Sequence, residues 1–159
     1  MKIKWPNDIY WSNQHKLVGI LTTSKIEGNR VQFHIGCGVN LSNQFPSRSL
    51  NSLIQQHSTK PNSSIQLTRE QIVASSLSQM EALLDWFEHV DIEAVKKLYY
   101  QHWCLSGRAI RLKDGTQAEI LGVDDQGYLK VRMESTGQVQ SLQPDGNRFD
   151  MIRNLSPAS

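Results

Sequence analysis

Val31-Gln32-Phe33-His34-Ile35-Gly36-Cys37-Gly38-Val39-Asn40-Leu41 alternates without a break. Val31, Phe33, Ile35, Cys37, Val39 and Leu41 fall on one side of an extended chain, and Gln32, His34, Gly36, Gly38 and Asn40 on the other. A period of two predicts a strand with one apolar, core-facing side. The opposite side is bare at Gly36 and Gly38 and then carries an amide at Asn40. Glycine weakens a strand interior, and it fits a bulge, tight packing against a helix, or the close approach of a ligand or another backbone. All of these remain open on the sequence. A dinucleotide fingerprint is excluded, because the strand runs straight through the glycines.

Working back from this strand, the first forty residues read as an antiparallel meander. Ile3 to Trp5, Ile9 to Trp11 and Leu17 to Thr23 are extended, separated by Pro6-Asn7-Asp8 and by Ser12-Asn13-Gln14-His15. Trp5 precedes a proline and is biased to extended geometry. Glu27-Gly28-Asn29 is a hairpin turn.

Working forward, Ser42 to Gln66 is polar, holds Pro46 and Pro61, and reads as a loop with a short helix near Ser49 to Gln56. Thr68 and Gln71 have capping-box spacing and open a helix. Ile72, Val73, Leu77, Met80, Leu84 and Phe87 form one stripe along it, expected to be core. Asp91 caps a further helix with Val95, Leu98 and Tyr99 on its buried side. From Gly107 the period changes. Short strands follow, broken at Asp114-Gly115, Gln126-Gly127, Thr136-Gly137 and Asp145-Gly146, as in a small barrel or sandwich. A module boundary is expected near Ser106.

The chain has 159 residues and a formal net charge of +2. That suits one domain, or part of one followed by a small module, and the charge does not argue for nucleic acid. Cys37 and Cys104 have no Cys-x-x-Cys spacing, which favours two reduced thiols inside a cell. The five histidines are scattered, so no metal site is expected. The N-terminus has no apolar signal region, and apolar runs are too short to span a membrane.

The chemistry concentrates in Lys4-Trp5-Pro6-Asn7-Asp8. A lysine ends a strand and is followed by a rigid aromatic–proline pair. An ammonium fixed in this way can hold a carboxylate or a phosphate. The more common role of a strand-end lysine is a solvated one. Asn7 and Asp8 are expected to close the turn with their own side chains. In Lys16-Leu17-Val18-Gly19-Ile20-Leu21, Gly19 interrupts an apolar strand where it can face Gly36 or Gly38 across a sheet.

Taken in order, these segments resemble the biotin protein ligase family, of the eukaryotic holocarboxylase synthetase type. Lys4-Trp5-Pro6-Asn7-Asp8-Ile9 is similar to its lysine motif, Lys16 to Leu21 to the strand after it, and Ile35 to Asn40 to its glycine–asparagine strand. Pro144-Asp145-Gly146-Asn147-Arg148-Phe149-Asp150-Met151 is similar to the end of the eukaryotic enzymes. The resemblance implies an α+β fold. A mixed or antiparallel sheet with helices, the C-terminal half of the catalytic domain, would occupy residues 1–105, and a small SH3-like β-barrel residues 106–159. It implies activation of biotin by ATP, with Mg²⁺, to biotinyl-5′-adenylate, and transfer of biotin to an acceptor lysine on the biotin domain of a carboxylase. Lys4 would be catalytic and contact biotin, Gly36 would line the biotin site, and Asn40, Gly19 and Gly38 would serve the adenylate. The implied compartment is the cytoplasm, with the mitochondrion as a second location, and no membrane or nucleic-acid partner is implied.

One departure stands out. The family's Gly-Arg-Gly-Arg loop, which closes over biotin and phosphate, has no counterpart here, since Gly107-Arg108 is isolated. The expectation is a fragment lacking the first part of the catalytic domain and weak or inactive alone. The alternative is a binding or interaction module without catalysis.

Overall fold

The computed structural model describes residues 1–12, 15–43, 48–58, 65–112 and 114–143. Pro46, Pro61, the Asp145-Gly146 turn and the tail motif from Pro144 to Met151 lie outside the described residues, as do Asn13 and Gln14. The chain divides into two compact units, Met1–His102 and Trp103–Ser159.

The first unit begins with β1 (Lys2–Lys4), β2 (Asp8–Trp11), β3 (His15–Glu27) and β4 (Arg30–Val39), hydrogen-bonded in that order. This is the expected meander, and every ladder is antiparallel with no mixed pairing among the described residues. β3 and β4 pair from Glu27↔Arg30 to Val18↔Val39 without a register shift. Gly28 and Asn29 are the two residues left for the turn, and Gly28 takes φ 58°, which costs glycine little.

Three helices follow: α1 (Leu50–His57), α2 (Arg69–Phe87) and α3 (Ile92–His102). Each starts where a side-chain acceptor meets an orphan N–H. Ser49 and Ser52 form a capping box on α1, and Thr68 and Gln71 form the expected one on α2. Asp91 accepts from the Ala94 N–H at 2.8 Å at the start of α3.

Burial departs from expectation. Among the described residues, the unit's buried apolar side chains are Trp5, Tyr10, Leu17 and Leu53. No residue of α2 or α3 is buried, and Val73, Leu77, Leu84 and Phe87 are each more than half exposed. Val31, Phe33 and Ile35 do share one face of β4, as the alternation requires, but that face is exposed too. Period determines which side is apolar, whereas burial needs an opposing layer, and the described elements do not supply one.

The second unit is a four-stranded antiparallel sheet of β5 (Ala109–Arg111), β6 (Gln117–Val123), β7 (Leu129–Met133) and β8 (Val139–Leu142), in that order. Alternate residues of β6 and β7 are buried, among them Ala118, Ile120, Leu129, Val131 and Met133, and Ile110, Leu105 and Trp103 are buried in the same unit. The three turn signals within the described residues fall between its strands as expected. No ladder joins β5 to β8 among the described residues, so the sheet is open. Neither cysteine is in a disulfide.

Candidate functional site

Lys4 pairs with Asp8, Asp8 with Gly19, and Gly19 with Gly38. These residues form one row across all four strands, and residues directly opposite one another point to the same side of a sheet. Gly36 lies two residues along β4 on that side. Of the two partners sequence left open for Gly19, the register selects Gly38.

Lys4 is 8% exposed, an unusual state for a lysine. Its Nζ stands 5.0 Å from the centre of the buried Tyr10 ring, where the negative face of the ring attracts a cation. The lysine is therefore held in place rather than waving in solvent.

The glycines answer the question their spacing raised. A Cβ on Gly36 or Gly38 would meet only a backbone carbonyl, at 3.9 Å in each case. The β3–β4 register is unbroken, so there is no bulge, and no side chain presses on either residue. What remains is an open strip of backbone beside Lys4.

A bulge does occur one strand away. Ile9 faces Val18 but Tyr10 faces Lys16, so Leu17 is the extra residue. Leu17 turns inward and is fully buried, while Lys16 comes round to the face of Gly19 and Asp8. Its Nζ lies 2.5 Å from Asp8 Oδ1, and a Cβ on Gly19 would sit 3.1 Å from both Lys16 Cε and Nζ. Asp8 Oδ1 makes no directed hydrogen bond, so its contact with Lys16 is an ion pair.

Asn40 closes the far end. Its backbone N–H donates to the Leu17 carbonyl at 2.8 Å, and its Nδ2 donates to the Lys16 carbonyl at 2.8 Å. Its carbonyl accepts from Leu50 N–H, the first residue of α1, at 2.9 Å. Asn51 then holds the segments on either side of α1. Its Nδ2 donates to Ser42 Oγ and to the Leu67 carbonyl, and its Oδ1 accepts from Leu67 N–H.

Asn7 and Asp8 do not close their own turn. Asn7 reaches β3, donating through Nδ2 to the Ile20 carbonyl at 2.6 Å while its carbonyl accepts from Ile20 N–H. Asp8 is a strand residue with a salt bridge. Asp8, Lys16 and Asn51 were missed as site residues. The only sequence signal was that the first two lie inside the motifs already singled out. Apart from the row lies an open apolar hollow of about 470 Å³, lined by Met1, Trp11, Leu50, Leu53, Ile54 and His57 among others.

With the geometry in place, comparison with known proteins is direct. A model of the biotin/lipoate A/B protein ligase family matches residues 1–40, the stretch that builds the row. Human biotin–protein ligase is 36% identical over 158 residues, covering 98% of this chain. The chain is similar to biotin protein ligases along nearly its whole length. The Schizosaccharomyces pombe ligase is 34% identical over 96% of this chain, and the chloroplastic Arabidopsis thaliana ligase 1 is 31% identical over 98%. The chain spans only 22%, 27% and 43% of these three relatives. Among solved structures, a biotin protein ligase from Aquifex aeolicus aligns over 89% of this chain and 60% of its own, with TM-score 0.63 and 18% identity. The same organism's ligase in complex with biotin and ATP aligns with TM-score 0.62 and 18% identity, covering 89% of this chain and 58% of that one. Biotin protein ligases thus share this fold.

Proposed function

We propose that residues 1–105 are the C-terminal half of a biotin protein ligase catalytic domain, and that the face of the row binds the adenylate. The observation that carries this reading is the register itself. It places a fixed ammonium, Lys4, and a bare backbone strip, Gly19, Gly38 and Gly36, on one side of one sheet.

In the reaction proposed, a biotin carboxylate oxygen attacks the α-phosphorus of ATP and pyrophosphate leaves. An acceptor lysine amine then attacks the acyl carbon and AMP leaves. The Lys4 ammonium stabilises the charge that builds between carboxylate and phosphate, already desolvated and oriented before the reaction begins. Gly36 offers backbone to biotin, Gly19 and Gly38 admit the nucleotide, and Asn40 addresses the adenine edge. Among the described residues no three His, Cys, Asp or Glu side chains come together. Mg²⁺ therefore belongs with the nucleotide phosphates in this reading rather than in a cage of protein ligands, and no step is routed through it.

Residues 106–159 form a small SH3-like barrel in the same proposal, supported by the alternating burial of β6 and β7. The acceptors are the biotin domains of carboxylases, and the setting is the cytoplasm, with the mitochondrion as a second location.

Titration calorimetry of the purified chain with a non-hydrolysable biotinyl-adenylate analogue tests the site. Binding that is lost in Lys4→Ala and in Asn40→Ala is the expected result. Binding indifferent to both changes would instead mark a module without this site. Incubation with biotin, Mg·ATP and an acceptor domain then reads whether the chain transfers biotin by itself.

A further inference from the structure

We propose that Lys16 is a further binding residue of the row, one whose ammonium meets the phosphate of a bound adenylate. This rests on the reading that the row binds an adenylate.

The three glycines of the strip are not alike. A Cβ on Gly36 or Gly38 would have only a carbonyl near it, at 3.9 Å. At Gly19 it would lie 3.1 Å from both Cε and Nζ of Lys16 and 3.5 Å from Asp8 Oδ1. The room at Gly19 thus holds the end of another side chain. A nucleotide that enters there meets an ammonium as well as backbone.

Lys16 reaches this place because of the bulge. Counting by twos back from Gly19 passes through Leu17 and leaves Lys16 on the other side of the sheet. The extra residue at Leu17 instead sets Lys16 opposite Tyr10 and on the face of Asp8.

Asp8 holds this ammonium by charge. The two lie 2.5 Å apart, yet Asp8 Oδ1 makes no directed hydrogen bond. An ammonium has three N–H donors, so it can serve a carboxylate on one side and a phosphate oxygen on another. The Lys16 side chain is 46% exposed and that of Asp8 19%, so the lysine is the partner a ligand reaches. A cation oriented in advance by a neighbouring charge loses little freedom when it meets an anion.

The backbone of the same residue meets the other end of the strip. The Lys16 carbonyl accepts from Asn40 Nδ2 at 2.8 Å. The ammonium and the amide assigned to the adenine edge are therefore tied to one residue, one to its side chain and one to its main chain. An adenylate likewise carries an anion at one end and a base at the other.

The test is titration calorimetry of the full chain with two ligands that differ in charge. One is a phosphodiester of biotinol and adenosine, which carries the negative charge of the adenylate. The other is its sulfone isostere, which carries none. Lys16→Met keeps the apolar stem and is expected to weaken the phosphodiester about tenfold, as loss of a hydrogen bond to a charged group would. The sulfone should bind the variant within about threefold of the parent, the scale of an exposed substitution that removes no contact. Added salt should weaken the phosphodiester more steeply in the parent than in Lys16→Met. Equal losses for both ligands would mark a structural role and overturn the proposal. So would undiminished phosphodiester binding in Lys16→Met when Asn40→Ala abolishes it. A parent chain that binds neither ligand overturns the adenylate reading and this proposal with it.

Discussion

Replacing Asn51 by alanine should loosen the corner that carries Asn40. Asn51 is 4% exposed and makes three hydrogen bonds: to Ser42 Oγ at 2.8 Å, to the Leu67 carbonyl at 3.0 Å and from Leu67 N–H at 2.8 Å. A buried hydrogen bond contributes roughly 1 kcal/mol net, and a buried polar group left without its partner costs about 1–3 kcal/mol. The Leu67 N–H and C=O both lose Asn51, while Ser42 Oγ can turn toward water. The expected loss is therefore roughly 2–4 kcal/mol. Urea unfolding followed by tryptophan fluorescence measures it, since Trp5 is buried in the same unit. Hydrogen exchange at the Leu67 amide supplies the local readout, because that amide should lose its protection. Asn51→Asp sharpens the test. It retains an acceptor for Leu67 N–H but sets a carboxylate against the Leu67 carbonyl. It should be no more stable than the alanine variant at neutral pH, and should regain part of the difference near pH 4, where a protonated carboxyl can donate. A loss under about 0.5 kcal/mol, within the range of ordinary surface changes, would refute the reasoning.

Two further predictions concern other parts of the chain. The Ser141 hydroxyl holds the Asp124 carboxyl below its ordinary range against the opposing effect of burial, aided by the Tyr128 and Gln126 N–H groups and the charge of Lys130. Its contribution is present at neutral pH and is lost as pH falls through that lowered value, so thermal unfolding in acid should show a shallower decline in Asp124→Asn, and an unchanged slope would contradict this. On β4, Phe33→Thr with Ile35→Thr keeps strand-forming side chains while removing two groups that are 63% and 53% exposed. Light scattering of the purified chain should then begin at a severalfold higher concentration, and an unaltered onset would show that this face does not drive self-association.

The order of strands was legible because each had a period of two or a turn at its end, and the helix starts because capping side chains have fixed spacing. The candidate site was legible in outline for the same reason: Lys4, Gly19, Gly36, Gly38 and Asn40 stand out as residues that a simple strand does not want. Three things were not legible. Alternation in β4 and the stripe on α2 identify apolar sides, yet whether another layer covers them is a property of tertiary structure. Asn51 is an ordinary polar residue in a polar stretch, and only the convergence of Ser42 and Leu67 makes it a clamp. Lys16 falls on the wrong side by counting from Gly19, because counting assumes an unbroken ladder.

That last point bears on how the protein can be altered. A single added residue in β3 acts as a phase shifter: it exchanges the assignments of everything before it and leaves everything after it untouched. A one-residue deletion at Val18 would remove the bulge, set Leu17 opposite Ile9 and leave Lys16 opposite Tyr10, on the face of Lys4 and Asp8. A strand without the bulge thus keeps its lysine on the Lys4 face only when it has one residue fewer between Lys16 and Gly19, and an ungapped alignment to such a strand would match the wrong residue to Lys16.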